Sequence, residues 1–411
     1  MPKIKAFKGI HPDQAYAADV VLEVENLDLP TAREIRSQKA RSFVNMLVPK
    51  LENRFLMGSK TELAFKKINE NFEEFIEKSW LIRDEKPSIY IYQVQHFGIT
   101  QTGIWTLSAI DDYLNNTIKK HELTRADRER GLIDYLQQTG IDANPVLITY
   151  QADTIIDQII LETVKHDALL SFEKSGSIHS VWKIDQEEQL KTITQAFGSL
   201  KHSYIADGHH RAAAASTYGI ECRKLNLKHH GAEEYNFFSS VYMSTNQLRI
   251  FEFHRLVKDL GKLSVNSFLA HLSDQFELEE LKHVAEFKPI SFHQFGMYLA
   301  GKWFKIAYKG DLSGNPVKDL DVAILQDEVL TKLLGITDPR TDARLSFAGG
   351  LTPLNELVNK VDEGAFDVLF TLYPTSIDEL IAVADAGEVM PPKSTWFEPK
   401  FLSGLLIHQL D

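Results

Sequence analysis

Apolar positions along the chain recur with two periods, and helical and strand-like stretches alternate without a fixed order. Between residues 31 and 82 the pattern is helical. Ala32, Ile35, Ala40, Phe43, Met46 and Leu47 recur at about helical spacing, and Leu63, Ile68, Phe72 and Phe75 do so again. Residues 88–94 then predict a strand, with 102–107 as its hairpin partner. Asp111 or Asp112 predicts the cap of a helix running through Lys120. A charged stretch from His121 to Arg130 leads into a further helix that ends near Gly140. Residues 145–150 predict a buried strand, 154–164 a helix, 169–172 and 180–184 short strands, and 186–197 a helix. Residues 204–206 predict one more short strand, followed at once by a helix signal.

Beyond Lys228 the predicted elements are a strand pair at 239–243 and 249–253, a helix at 264–276, and a pair at 297–299 and 303–308 around Gly301. An amphipathic segment at 322–334 ends at Gly335, and helices at 354–361 and 377–386 flank a strand at 368–373. Strand pairs mix with helices and no strict βαβ alternation appears, so the expected class is α+β. With 411 residues the chain exceeds one ordinary core. The expected division is an N-terminal α+β domain over 1–227 and a C-terminal α+β domain over 228–411 packed against it.

Composition narrows the function. A 44% hydrophobic and 25% charged chain reads as a soluble globular protein. A net charge of −12 argues against a general nucleic-acid binder, which carries a basic face. Cys222 is the only cysteine, which excludes an intrachain disulfide and a cysteine metal cluster. The first residues lack the apolar core of a signal peptide, and no run approaches the ~20 apolar residues of a membrane helix. The expected location is the cytoplasm.

Three stretches carry chemistry. The first is Asp207-Gly208-His209-His210-Arg211, on the turn between the 204–206 strand and the following helix. Glycine lets the backbone approach a ligand, and the helix start favours an anion. Arginine grips a phosphate with two parallel bonds, and histidine exchanges protons near neutrality. The second is Lys120-His121-Glu122-Leu123-Thr124, extending to Arg125, Asp127, Arg128 and Arg130 and expected just past a helix end. Glu122 there suits a general base or a Mg²⁺ ligand, and Lys120 and Arg128 suit phosphate oxygens; a charge run is equally a solvated face. The third is the run from Met390 to Lys400, where Lys393, Ser394 and Thr395 offer a cation and two hydroxyls. Trp396 and Phe397 there offer rings that either stack on a base or simply pack. No GxxxxGK[ST] loop, GxGxxG fingerprint or GxSxG elbow occurs.

These stretches, with Pro87–Tyr92 and Thr100–Gly103, fall in the order expected for the bacterial and archaeal domain-of-unknown-function family 1015, which the chain resembles from about Phe7 onward. The Asp207 turn also resembles the ParB/sulfiredoxin-like superfamily, which includes partition switches, sulfiredoxin and free-serine kinases. The resemblance implies a ParB/sulfiredoxin-like phosphate-binding core with additional mixed α/β elements. It implies that Asp207, His209, His210 and Arg211 bind the transferring phosphate and that Glu122 is the base. Sulfiredoxin chemistry needs a cysteine at this turn, and the turn has none.

The function expected is phosphoryl transfer on a small hydroxy-amino acid, serine or O-phosphoserine, as kinase or phosphatase. Gly208, Arg211, Lys120, His121, Thr124, Arg128, Lys393, Ser394 and Thr395 are the expected phosphate-binding residues. Glu122, Asp207, His209 and His210 are the expected catalytic ones. Mg²⁺ on Asp207 or Glu122, and ATP or ADP for a kinase, are the expected cofactors. A nucleotide-controlled switch without turnover is the rival.

Overall fold

The computed structural model describes residues 2–25, 27–47, 59–96 and 98–410. The chain divides into two compact units, Met1–Leu248 with Pro399–Asp411, and Arg249–Glu398. The boundary expected at 227/228 therefore lies at 248/249, and the last segment returns to the first unit. The reason is the strand at Phe237–Ser244, which lies inside the first unit's sheet between two strands from before residue 151.

That sheet contains β1 (Ile4–Lys5), β2 (Ile89–His96), β3 (Ile99–Ala109), β4 (Ile118–Lys119), β5 (Val146–Tyr150), β6 (Leu170–Lys174), β7 (Ser177–Ile184), β8 (Ser203–Asp207) and β9 (Phe237–Ser244). Its order is β4-β8-β5-β9-β3-β2-β7-β6, with β1 against β3. The β8–β4 and β9–β5 pairs are parallel and the rest antiparallel. Alternation along β2 explains its burial on both faces. Ile89 and Ile91 enter a core with Ile104, Ile148, Ile205 and Phe238. Tyr90 and Tyr92 face the other way, where Tyr90 donates to Asp84 at 2.5 Å and Tyr92 bonds His179 Nδ1 at 2.8 Å.

Two helices flank the end of β8. α1 (Ala126–Thr139) ends at Gly140 in the left-handed region, φ 64°, as the sequence predicts. α2 (His209–Leu225) buries Ala212–Ala215. Four small side chains in a row let its first turns lie close to both the sheet and α1.

The second unit is built on a six-stranded antiparallel sheet of Phe253–Val257, Phe276–Leu281, Gln294–Leu299, Lys302–Tyr308, Leu345–Gly349 and Val368–Leu372. The pair around Gly301 forms as expected. The expected pairing of 239–243 with 249–253 does not form. Arg249–Phe251 pairs with Trp396–Glu398 instead, since β9 already has β3 and β5 on its two edges. The segment after Leu320 is helical at Asp321–Ile324 and widens into a π-helix at Leu325–Thr331. Among the described residues no helix is long and apolar enough to cross a membrane.

Candidate functional site

Strand β8 ends at Asp207 with a register shift against β5 between Ile205 and Asp207. An extra residue at a strand end bends it and re-aims the next side chain. Gly208 then takes φ 99°, open to glycine and strained for any other residue, and α2 starts at His209. A Cβ at Gly208 would lie 2.8 Å from Nε and Nη2 of Arg211, so the guanidinium lies across the glycine.

Arg211 Nη1 donates to the Pro145 carbonyl, and Nη2 stands 3.7 Å from Asp207 Oδ1. Lys400, from the returning C-terminal segment, donates to Asp207 Oδ2 at 3.0 Å. Burial disfavours charge on Asp207, but Lys400 and Arg211 outweigh it and hold the carboxyl well below the usual carboxylate range. One carboxylate thus faces two cations beside the positive end of a 17-residue helix.

The histidines form a second layer. His209 is 3% exposed, and its Nε2 accepts from the His121 backbone N–H at 3.4 Å. The neutral ring then carries its proton on Nδ1, which lies 3.7 Å from Glu122 Oε2. The rings of His121 and His209 meet edge to face with centroids 4.4 Å apart. Burial, then its neighbour His121, pushes His209 well below 6.5, and burial takes His121 to about 4. Both are neutral at neutral pH. His210 Nε2 accepts from the Arg125 backbone N–H at 3.0 Å, and burial, then Arg128, lowers its pKa. Thr124 is half-buried and Arg128 is exposed at the start of α1.

The route by which residues 120–124 arrive differs from the expectation. The helix after Ala109 stops at Leu114 and has no side-chain cap. Asp112 accepts from the Lys3 backbone N–H at 2.5 Å, and Asp111 pairs with Arg223 at 2.6 Å. Neither carboxylate is left to cap a longer helix. Residues 118–119 instead form the edge strand β4, and its parallel pairing with β8 lays the following residues beside Asp207 and His209.

Lys120 is held differently from the expectation: its ammonium sits 4.2 Å from the Tyr113 ring centre and donates to the Tyr113 carbonyl at 3.3 Å. Lys393, Ser394 and Thr395 belong to the second unit, where Ser394 Oγ donates to Pro391 O and Lys393 lies over the Phe253 ring. Phe397 is buried, and Trp396 packs on Phe253 and Gly349, so packing is the use made of these rings. The Mg²⁺ expectation does not fit Asp207, whose oxygens face Lys400 and Arg211, and two cations repel a third. Among the described residues no three His, Cys, Asp or Glu are placed to hold a metal ion. Lys400 meets Asp207 at this turn, and sequence patterning does not single it out. Its only signal is its position at the end of the run from Met390.

A fixed guanidinium, a lysine ammonium and a helix start have the chemistry to hold an anion, and a neutral imidazole faces a carboxylate beside them. The model of a family described as protein of unknown function (DUF1015) matches residues 4–323. The chain belongs to that family. No functionally curated protein matches it. Among solved structures, a free serine kinase variant in complex with AMP is 16% identical, with a TM-score of 0.38, covering 75% of this chain and 92% of that one. A conserved hypothetical protein from Pyrococcus furiosus is 16% identical, TM-score 0.36, with 74% and 95% covered. SbnI with a C-terminal truncation, from Staphylococcus aureus, is 15% identical, TM-score 0.34, with 73% and 85% covered.

Proposed function

We propose that this protein is a phosphoryl-transfer enzyme acting on a small hydroxy-amino acid, serine or O-phosphoserine, through a ParB/sulfiredoxin-like phosphate-binding core. The observation that carries the reading is the pair of cations, Arg211 and Lys400, that share the Asp207 carboxylate at the start of α2, next to a buried neutral imidazole. Phosphoryl transfer asks a protein for positioning and charge neutralisation more than for covalent chemistry. In this reading Arg211 and the backbone after Gly208 hold the phosphate. Glu122 orients the attacking hydroxyl or water and takes its proton, and the Nδ1–H of His209 steadies the Glu122 carboxylate. The choice of serine rests on the resemblance of the Asp-Gly-His-His-Arg turn to that of free-serine kinases. ATP or ADP is the second substrate of the kinase form.

The test is ³¹P NMR of the purified protein with O-phosphoserine and Mg²⁺, alone, with ADP and with AMP. ATP resonances appearing only with ADP, or ADP resonances appearing only with AMP, make it a kinase running in reverse. Free phosphate without nucleotide makes it a phosphatase. No change in any of the three overturns the reading in favour of a nucleotide-controlled switch.

A further inference from the structure

Lys400 and Arg211 face the same carboxylate but are held in opposite ways. Arg211 is pinned by the Pro145 carbonyl and by its place across Gly208. Lys400 reaches Asp207 on a flexible four-carbon stem, and its side chain is a quarter exposed. Its backbone, in contrast, is fixed. Phe401 lies against Tyr92 and Trp105, with centroids 5.7 and 5.9 Å away. Ser403 and Leu22 exchange two backbone hydrogen bonds, as do Ile407 and Ile10, and Leu410 N donates to Gly140 O at 2.8 Å. The segment thus delivers one cation on a flexible stem to a fixed place.

We propose that Lys400 is an exchangeable phosphate ligand: it holds Asp207 while the site is empty and moves to the phosphate group when one binds. This rests on the proposed phosphate site and adds to it a residue and a competition. Asp207 is shared by two cations, and the start of α2 adds its partial positive charge for an entering anion. A phosphate with two charges outbids a single carboxylate for an ammonium that only has to swing. Arg211 keeps its post and binds the same anion. Asp207 is therefore a competitor of the ligand, and Lys400 is what they compete for.

Inorganic pyrophosphate binding to the full-length protein, followed by calorimetry at fixed low salt, tests this without turnover. K400M weakens binding about tenfold. D207N tightens it about fivefold, because Asp207 no longer competes for the ammonium. Removing a nearby negative charge also attracts an anion, so the decisive variant is K400M/D207N. There the tightening shrinks to less than twofold. A D207N gain that survives in K400M, or a K400M protein that binds as the wild type does, overturns the proposal. K400Q keeps a donor to Asp207 without the charge and replaces K400M if that variant does not fold. Failure of the variants to show coupling while phosphoserine is still turned over sinks the Lys400 exchange alone. Intact coupling with no turnover sinks phosphoryl transfer alone.

Discussion

The Asp207 turn and the Lys393 run offer similar chemistry on paper, and the fold uses them in opposite ways. At the turn, two cations converge on one carboxylate: Arg211 and Lys400 on Asp207. In the run, the Ser394 hydroxyl and the Lys393 carbonyl are spent on local structure. Ser394 Oγ donates to Pro391 O at 2.7 Å, and the Lys393 carbonyl accepts from the buried Arg255 at 3.0 Å. Lys393 itself sits at φ 58°, where a non-glycine residue is strained, and its ammonium lies 4.9 Å from the Phe253 ring centre. A polar residue becomes a candidate ligand when the fold gathers it with others around one point, not when its type suits a ligand.

The largest test of the turn is on Glu122. Its carboxylate is half exposed and stands 3.7 Å from the proton-bearing Nδ1 of His209. Glu122→Gln should cut kcat about 100-fold in the phosphoserine reaction and leave KM nearly unchanged. Equal losses in both would make Glu122 a ligand rather than the base. Next is Arg211→Ala, which should weaken pyrophosphate binding about 30-fold, equivalent to about 2 kcal/mol, in calorimetry. The melting temperature should fall only slightly, because Arg211 is part-exposed and β5, which follows Pro145, is paired along both edges without it. A collapse of stability would assign Arg211 to the scaffold and break the contrast with the Lys393 run.

The turn is legible in sequence because its residues are contiguous. Five consecutive positions carry a carboxylate, a glycine, two imidazoles and a guanidinium, and the strand and helix signals on either side fix its geometry. The 121–124 cluster is legible by composition but not by placement. Asp111 and Asp112 read as caps, and only the structure shows them engaged by Arg223 and Lys3. Lys400 is out of reach because 192 positions separate it from Gly208, and nothing local says that a segment after the second unit returns to the first. The domain boundary fails for the same reason. β9 pairs with strands distant in sequence, and periodicity reports burial without naming the partner.

His408 lies in the segment that brings Lys400 to the turn, and its charge ties the stability of the fold to pH. Its Nε2 bonds Glu234 at 2.9 Å, and Asp142 lies 4.0 Å from Nδ1. Burial disfavours the charged ring, but the two carboxylates outweigh it and raise the pKa above 6.5. A raised histidine stabilises the fold fully below its unfolded pKa of about 6.5 and loses that contribution as pH climbs through the folded value. Unfolding free energy should therefore decline as pH rises from about 6.5 through the folded pKa of this group. Denaturant titrations from about pH 6 to about pH 9 on the wild type and His408→Asn check this. The expected result is a smaller decline in the variant, and parallel curves would show that His408 is not the group responsible.

The smallest effects should come from the Lys393 run, and their smallness is the point. Lys393→Met removes the ammonium over Phe253 and should leave pyrophosphate affinity within twofold of the wild type, because that ammonium is already engaged by a ring of its own unit. Ser394→Ala removes the bond to Pro391 O from a buried hydroxyl and should cost about 1 kcal/mol of stability, with affinity equally unmoved. Both variants need two measurements, a denaturant midpoint and a calorimetric titration. Lost stability with intact binding marks a run that shapes the chain. Lost binding in Lys393→Met would show a second anion-binding cation outside the Asp207 cluster, and local satisfaction would then no longer separate the two stretches.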